Sequence, residues 1–184
     1  MKKIIASEWI SLDGVFDASL MGEWNAPYHS DSRAEYIREG IMSCGAMLYG
    51  RKTYEMLAPY WSALKNNEMG VADKLNTAPK YVVSSTLKKA DWGDSTIIRE
   101  NIAGEIKKLK GSTGGDILIQ GSATLVKSLL EAGLVDELRL LVHPVIMGRG
   151  ERFFQDGMHA SLQLTETRTL DLGVIVLYYQ LKKN

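Results

Sequence analysis

Up to His143 the chain alternates short apolar runs with longer amphipathic ones. Lys3–Trp9, Ala46–Tyr49, Lys80–Ser84, Ser95–Arg99, Asp116–Gln120 and Val135–His143 read as strands, being short, apolar and bounded by turn residues. Asp31–Ser43, Arg51–Tyr60, Glu68–Asn76, Ile102–Leu109 and Ala123–Ala132 read as the helices between them. Strand–helix alternation of this kind predicts an α/β fold: a mostly parallel sheet with helices on both faces, hence three layers. The tail departs from it. Leu162–Arg168 and Val174–Leu181 flank Asp171-Leu172-Gly173, a hairpin signal, so the sheet is expected to end in antiparallel strands. Ser11–Tyr28 is read as a loop. Ser32-x-x-Glu35 fits a capping box for the first helix, whose buried face would carry Ile37 and Ile41. Gly133 stands where a helix-ending glycine is expected.

At 184 residues, one domain spanning 1–184 is the expectation. Lys plus Arg number 22, as do Asp plus Glu, which argues against a nucleic-acid binder with its basic excess. Cys44 is the one cysteine, so an intramolecular disulfide is excluded and a reducing, cytoplasmic setting is expected. The apolar start is broken by Glu8 too early for a signal peptide, and no apolar run reaches the ~20 residues that span a bilayer. No His, Cys and carboxylate cluster has zinc spacing, so no metal site is expected.

Three strand ends carry chemistry. Met47-Leu48-Tyr49-Gly50-Arg51-Lys52-Thr53-Tyr54-Glu55 places a glycine, two cations and a hydroxyl where a strand becomes a helix. Helix N-termini offer unpaired N–H groups and partial positive charge, and glycine admits a phosphate to the backbone. A Gly turn before a solvated helix start explains the same residues without a ligand. Ile119-Gln120-Gly121-Ser122-Ala123-Thr124 repeats the pattern, with Ser122 either capping the helix or binding phosphate. Val82-Val83-Ser84-Ser85-Thr86 offers three hydroxyls, suited to phosphate or ribose and equally to a polar turn. In open α/β sheets ligands lie beyond the carboxyl ends of strands, so three such turns together point to a phosphorylated dinucleotide. A Rossmann G-x-G-x-x-G is missing from the usual place, since Gly114-Gly115 precede their strand.

These segments, with Ser11-Leu12-Asp13-Gly14 and His143-Pro144-Val145-Ile146-Met147-Gly148-Arg149-Gly150, resemble the dihydrofolate reductase fold group. The likeness is closer to the branch of the C-terminal reductase domain of the riboflavin-pathway deaminase-reductase RibD, and spans nearly the whole chain in order. It implies NADPH as cofactor, with Gly50, Arg51, Lys52 and Thr53 on phosphates and Arg51 on the 2′-phosphate, where a planar guanidinium binds bidentately. It places Ser84 and Ser85 near adenosine, and Gly121, Ser122, Ala123 and Thr124 around the pyrophosphate. It implies a hydride-transferring reductase of a small heterocycle, a pyrimidine with an opened sugar or a pterin, and a homodimer paired through the last strands. Asp13 is the candidate for substrate contact or proton delivery, against a plain turn-forming role. Trp24, His29 and Tyr54 are candidates to line the substrate pocket, against membership of the core. Phe153-Phe154 would both close over the cofactor and anchor the late loop. Dihydrofolate reductases carry a carboxylate on the first helix and a Gly-Gly pair at the second turn; here Asp31 and Glu35 fall out of step and the pair is Gln120-Gly121. A true dihydrofolate reductase is thus the alternative, with a non-catalytic nucleotide- or antifolate-binding protein as the rival from another class.

Overall fold

The computed structural model describes residues 1–182. Among the described residues eight strands form one sheet: β1 (Ile4–Ser11), β2 (Ala46–Gly50), β3 (Lys80–Val83), β4 (Ser95–Ile98), β5 (Ile117–Ile119), β6 (Glu137–His143), β7 (Leu162–Thr169) and β8 (Ile175–Leu181). Their order is β4-β3-β2-β5-β1-β6-β8-β7. Pairings from β4 through to β6 are parallel, and β6–β8 and β8–β7 are antiparallel. The α-helices of the described residues are α1 (Met21–Trp24), α2 (Asp31–Ser43), α3 (Arg51–Ala63), α4 (Ala72–Thr77), α5 (Ile102–Gly111) and α6 (Ala123–Glu131). The mostly parallel sheet with an antiparallel end is as the pattern predicts.

Strand residues alternate between two apolar layers, as a pleat of period two requires. Ile4, Ala6, Leu48, Ile117 and Ile119 face α5 and α6, meeting Ile106, Val126 and Leu129. Ile5, Met47, Tyr49 and Leu118 face α2, α3 and α4, meeting Ile41, Tyr54 and Leu75. Two local expectations are corrected. The cap of α2 is Ser30, whose Oγ accepts from the Arg33 N–H at 3.3 Å; Ser32 instead accepts from Asp171 N–H, and Glu35 pairs with Arg38. Ser11–Tyr28 is not a plain loop: it holds 3₁₀ turns at Ala18–Leu20 and Ala26–Tyr28 around α1.

Pairing between β1 and β5 ends at Ala6 and Ile119, whereas β1 follows β6 to Ser11. The two strands therefore part, and the segment from Glu8 onward borders the Gln120–Gly121 turn instead of a ladder. The site lies in this opening.

Candidate functional site

Strands β3, β2 and β5 are parallel neighbours, so the three turns singled out in the sequence emerge side by side at one sheet edge. Two of them touch. The Gly50 N–H donates to the Gly121 carbonyl at 3.1 Å. A Cβ on Gly50 would stand 2.3 Å from Ser122 Oγ, and one on Gly121, at φ +84°, 2.7 Å from Thr53 Oγ1. Glycine is required at both positions by this close approach. The helices that begin here, α3 and α6, have no acidic residue in the first turn and no side-chain cap bond. Their first N–H groups thus take no side-chain cap, and two positive dipole ends converge. Ser122 stands at the cap position of α6, yet its hydroxyl makes no cap bond. Such a cradle fits the phosphates of a dinucleotide.

The remaining candidates around it differ in position. Arg51 is half-buried and pairs with Glu55 at 2.8 Å, while Lys52 and Thr124 are exposed. The methyl group of Ala123 packs into the core, leaving its backbone as the part that faces the turn. Ser84 is buried and its Oγ accepts from Thr86 and Leu87 N–H groups at 3.1 and 2.8 Å, which holds its own turn; Ser85 is exposed. Next to it, beyond β4, an open groove of about 560 Å³ is lined by Arg99, Glu100 and Asn101.

Beside the cradle is a largely apolar cavity of about 590 Å³, walled by β1, α2, α3 and the segment from Phe16 to Asn25. Its size suits a small organic molecule. Thr53 and Gln120 belong to both the cavity and the turns. Trp24 lines it, fixed by its indole N–H to Asp17 O at 3.0 Å and edge-on to His143. His29 stands exposed at its rim. Tyr54 does not reach it. One residue after Thr53 on α3, it turns towards the core, where its hydroxyl accepts from Trp92 N–H at 2.9 Å. Its selection as a pocket residue is corrected: helical phase sends Thr53, Met56 and Leu57 to the cavity.

Asp13 is hydrogen-bonded to the late loop. Its carboxylate accepts from Ser11 Oγ at 2.7 Å and from the Met147 and Gly148 N–H groups at 3.0 and 2.9 Å, and Arg152 lies 3.6 Å away. The Ser11 hydroxyl foremost, then those amides, pull its pKa down to about 2. These bonds favour the ionised carboxylate and tie it to the late loop. Phe153 is fully buried against Phe16, so it anchors that loop, while Phe154 is half exposed.

Two cavity residues were not singled out from the sequence. Glu8 is buried on β1 where the strands part, and its Oε1 accepts from the Gly121 N–H at 2.8 Å. Burial raises its pKa to about 8, partly offset by that amide, so the carboxyl is protonated at neutral pH. Its signal was visible: a lone charge inside a strand buried on both faces. Arg33 is 3% exposed on α2, and its guanidinium stacks over Trp9 at 5.1 Å. It stands four residues before Ile37 and eight before Ile41, on the buried stripe already recognised. Among the described residues no group of three or more His, Cys, Asp or Glu could hold a metal ion, and no helix is long and apolar enough to cross a membrane.

Known proteins resemble this chain over most of its length. The model of the RibD C-terminal domain family matches residues 2–176. Protein YyaP of Bacillus subtilis is 35% identical over 139 residues, 72% of each chain. The 2,5-diamino-6-ribosylamino-4(3H)-pyrimidinone 5′-phosphate reductase of Methanothermobacter thermautotrophicus is 28% identical over 131 residues, which are 67% of this chain and 61% of that protein. Among solved structures, a pyrimidine reductase-like protein from Corynebacterium diphtheriae superposes with a TM-score of 0.69 at 13% identity, over 100% of this chain and 93% of that one. Dihydrofolate reductase from Enterococcus faecalis, complexed with NADP(H), superposes at 0.63 and 16% identity, over 98% and 97%. The fold is therefore of the dihydrofolate reductase type, and the chain belongs to the RibD C-terminal domain family.

Proposed function

We propose that this chain is an NADPH-dependent reductase that acts on a small heterocyclic substrate, a pyrimidine with an opened sugar or a pterin-like ring. The observation that carries the reading is the contact of the Gly50 and Gly121 turns, two uncapped helix starts abutting a cavity that contains one protonated carboxyl. Arg51, Lys52, Thr53, Ser122 and Thr124, with the backbone of Gly50, Gly121 and Ala123, hold the phosphates. Ser84 and Ser85 adjoin the adenosine end. When bound, NADPH supplies a hydride, and the protein supplies position and electrostatics. Trp24 and His29 border the substrate, and the cavity walls exclude water. Glu8 holds, at its carboxyl, the proton that a reduced C=N or C=O group must also receive. Asp13 positions the Met147–Gly148 loop.

A true dihydrofolate reductase is the weaker reading, because α2 presents a guanidinium to the cavity and not a carboxylate. One domain over 1–184, a cytoplasmic setting, and pairing of two copies through the C-terminal hairpin complete the proposal. The buried free thiol of Cys44 and the exposed Leu164 support the last two.

The test is calorimetric titration with NADPH and NADH, followed by absorbance of NADPH oxidation against pterins, pyrimidines and simple carbonyls. Arg51→Ala is expected to weaken NADPH by about 1.5–3 kcal/mol, the worth of a charged hydrogen bond, and NADH far less. Equal losses would remove Arg51 from the 2′-phosphate. Tight NADPH binding with no oxidation by any compound would instead support the non-catalytic binding protein.

A further inference from the structure

The cavity contains a charge that the protein itself leaves unanswered. Arg33 is 3% exposed, lines the cavity, and its Nε is buried without a hydrogen-bond partner. Among the described residues no carboxylate comes within salt-bridge distance of it. A buried, unpaired guanidinium is costly, because its lost hydration is not returned by a partner. Its stacking over Trp9 offsets a part of that cost and fixes the plane of the group.

The other titratable groups around the cavity do not supply the missing charge. Glu8, from β1, is protonated at neutral pH. His143, from β6, packs edge-on against Trp24; burial first, and Arg33 itself in part, hold its pKa down to about 4, so it is neutral. Arg38, further along α2, is committed to Glu35. His29 stands at the rim. The buried interior therefore carries one uncompensated positive charge within apolar walls.

We infer that Arg33 is the anchor for an anionic oxygen of the substrate, and that the cavity selects a flat ring bearing a single negative charge, such as a ring carboxylate or an ionised ring oxygen. A guanidinium presents two parallel N–H donors that match a carboxylate. One cation in an apolar cavity balances one negative charge. A phosphate, nearly doubly charged at neutral pH, would bring a charge in excess of it. The protonated carboxyl of Glu8 can donate to such a ligand without repelling it. A positively charged diaminopyrimidine would meet the guanidinium as a like charge and is expected to be rejected.

The inference rests on the proposed function only in placing the substrate in this cavity. Its test therefore leaves out the dinucleotide. Calorimetric titrations of the wild type with orotate, uracil and 2,4-diaminopyrimidine are expected to rank the affinities in that order. Arg33→Gln is expected to weaken orotate about tenfold or more and to compress the ranking. Arg168→Gln, a surface arginine paired with Glu39, is expected to leave all three unchanged. Diaminopyrimidine binding as tightly as orotate, orotate unmoved by Arg33→Gln, or saturation with none of the three would each overturn the inference. The wild-type ranking decides the matter even where the variant fails to fold. NADPH titrated into the same proteins separates the two claims: orotate binding without NADPH binding sinks the reductase reading and leaves this one standing.

Discussion

At the scale of single residues, three buried ionisable groups give the fold a pH signature with separable windows. Glu8 titrates near 8 in the folded chain against an ordinary 4.5. Between those values the folded chain holds a proton that the unfolded chain has lost, so stability falls as pH rises. His143, near 4 in the fold against 6.5, works the other way: between those values the unfolded chain holds the extra proton, so stability rises with pH. Lys80 is buried over the Trp92 ring and donates to the Ala78 carbonyl at 2.8 Å. Burial brings its pKa from 10.5 to about 8, so stability rises with pH from about 8 upward. Of the three, Glu8 alone titrates between 6.5 and 8. The melting temperature is therefore expected to decline across that interval, and Glu8→Gln, which keeps an acceptor for the Gly121 amide, is expected to flatten the decline. Scanning calorimetry at closely spaced pH values checks this. A wild type and variant that decline alike would show that Glu8 is ionised in the fold.

At the scale of elements, the site depends on two helix-opening turns that can touch because both carry glycine. Gly50→Ala would drive a methyl group to 2.3 Å from Ser122 Oγ and 3.1 Å from Ser122 N. The backbone at Gly50 lies at φ −75°, which alanine accepts, so the cost is steric. A destabilisation of about 1–3 kcal/mol is expected, with NADPH affinity falling alongside it. Ser122→Gly is expected to restore a part of that loss, since it removes the hydroxyl and leaves the amide. Urea unfolding of both single variants and the double variant measures the coupling. Strictly additive losses would mean that the turns do not press on each other. These turns were legible because each joins an apolar strand to an amphipathic helix. Their adjacency was not, because strand order follows from tertiary pairing. Arg33 could have been found by extending the Ile37–Ile41 stripe one step back, and Glu8 by asking why a strand buried on both faces keeps a charge. Ala18–Tyr28 escaped because its helical turns are three or four residues long, too short to show a period. The cap of α2 was misplaced by two residues, since serines at both 30 and 32 satisfy the local rule and only tertiary contact with Asp171 tells them apart.

At the scale of the whole molecule, the sheet is covered unevenly. Helices flank the strands from β3 to β1, whereas β7 at the far edge is mostly exposed along its length. Leu164 is 49% exposed there, beside Tyr179 on β8, which packs only partly against the core. Edge-to-edge joining of two β7 strands is opposed by the irregularity between Leu164 and Glu166 and by the polar side chains along the strand. A second copy would therefore meet this one through the face that carries Leu164, and would bury apolar surface that each chain alone leaves in water. Sedimentation equilibrium is expected to return twice the chain mass. Leu164→Glu would place one charge from each copy in the shared apolar contact, and is expected to weaken the dimer about tenfold or more without lowering the melting temperature of the isolated chain. If the wild type sediments as a monomer at every concentration, or if Leu164→Glu pairs as well as the wild type, this face is not the contact.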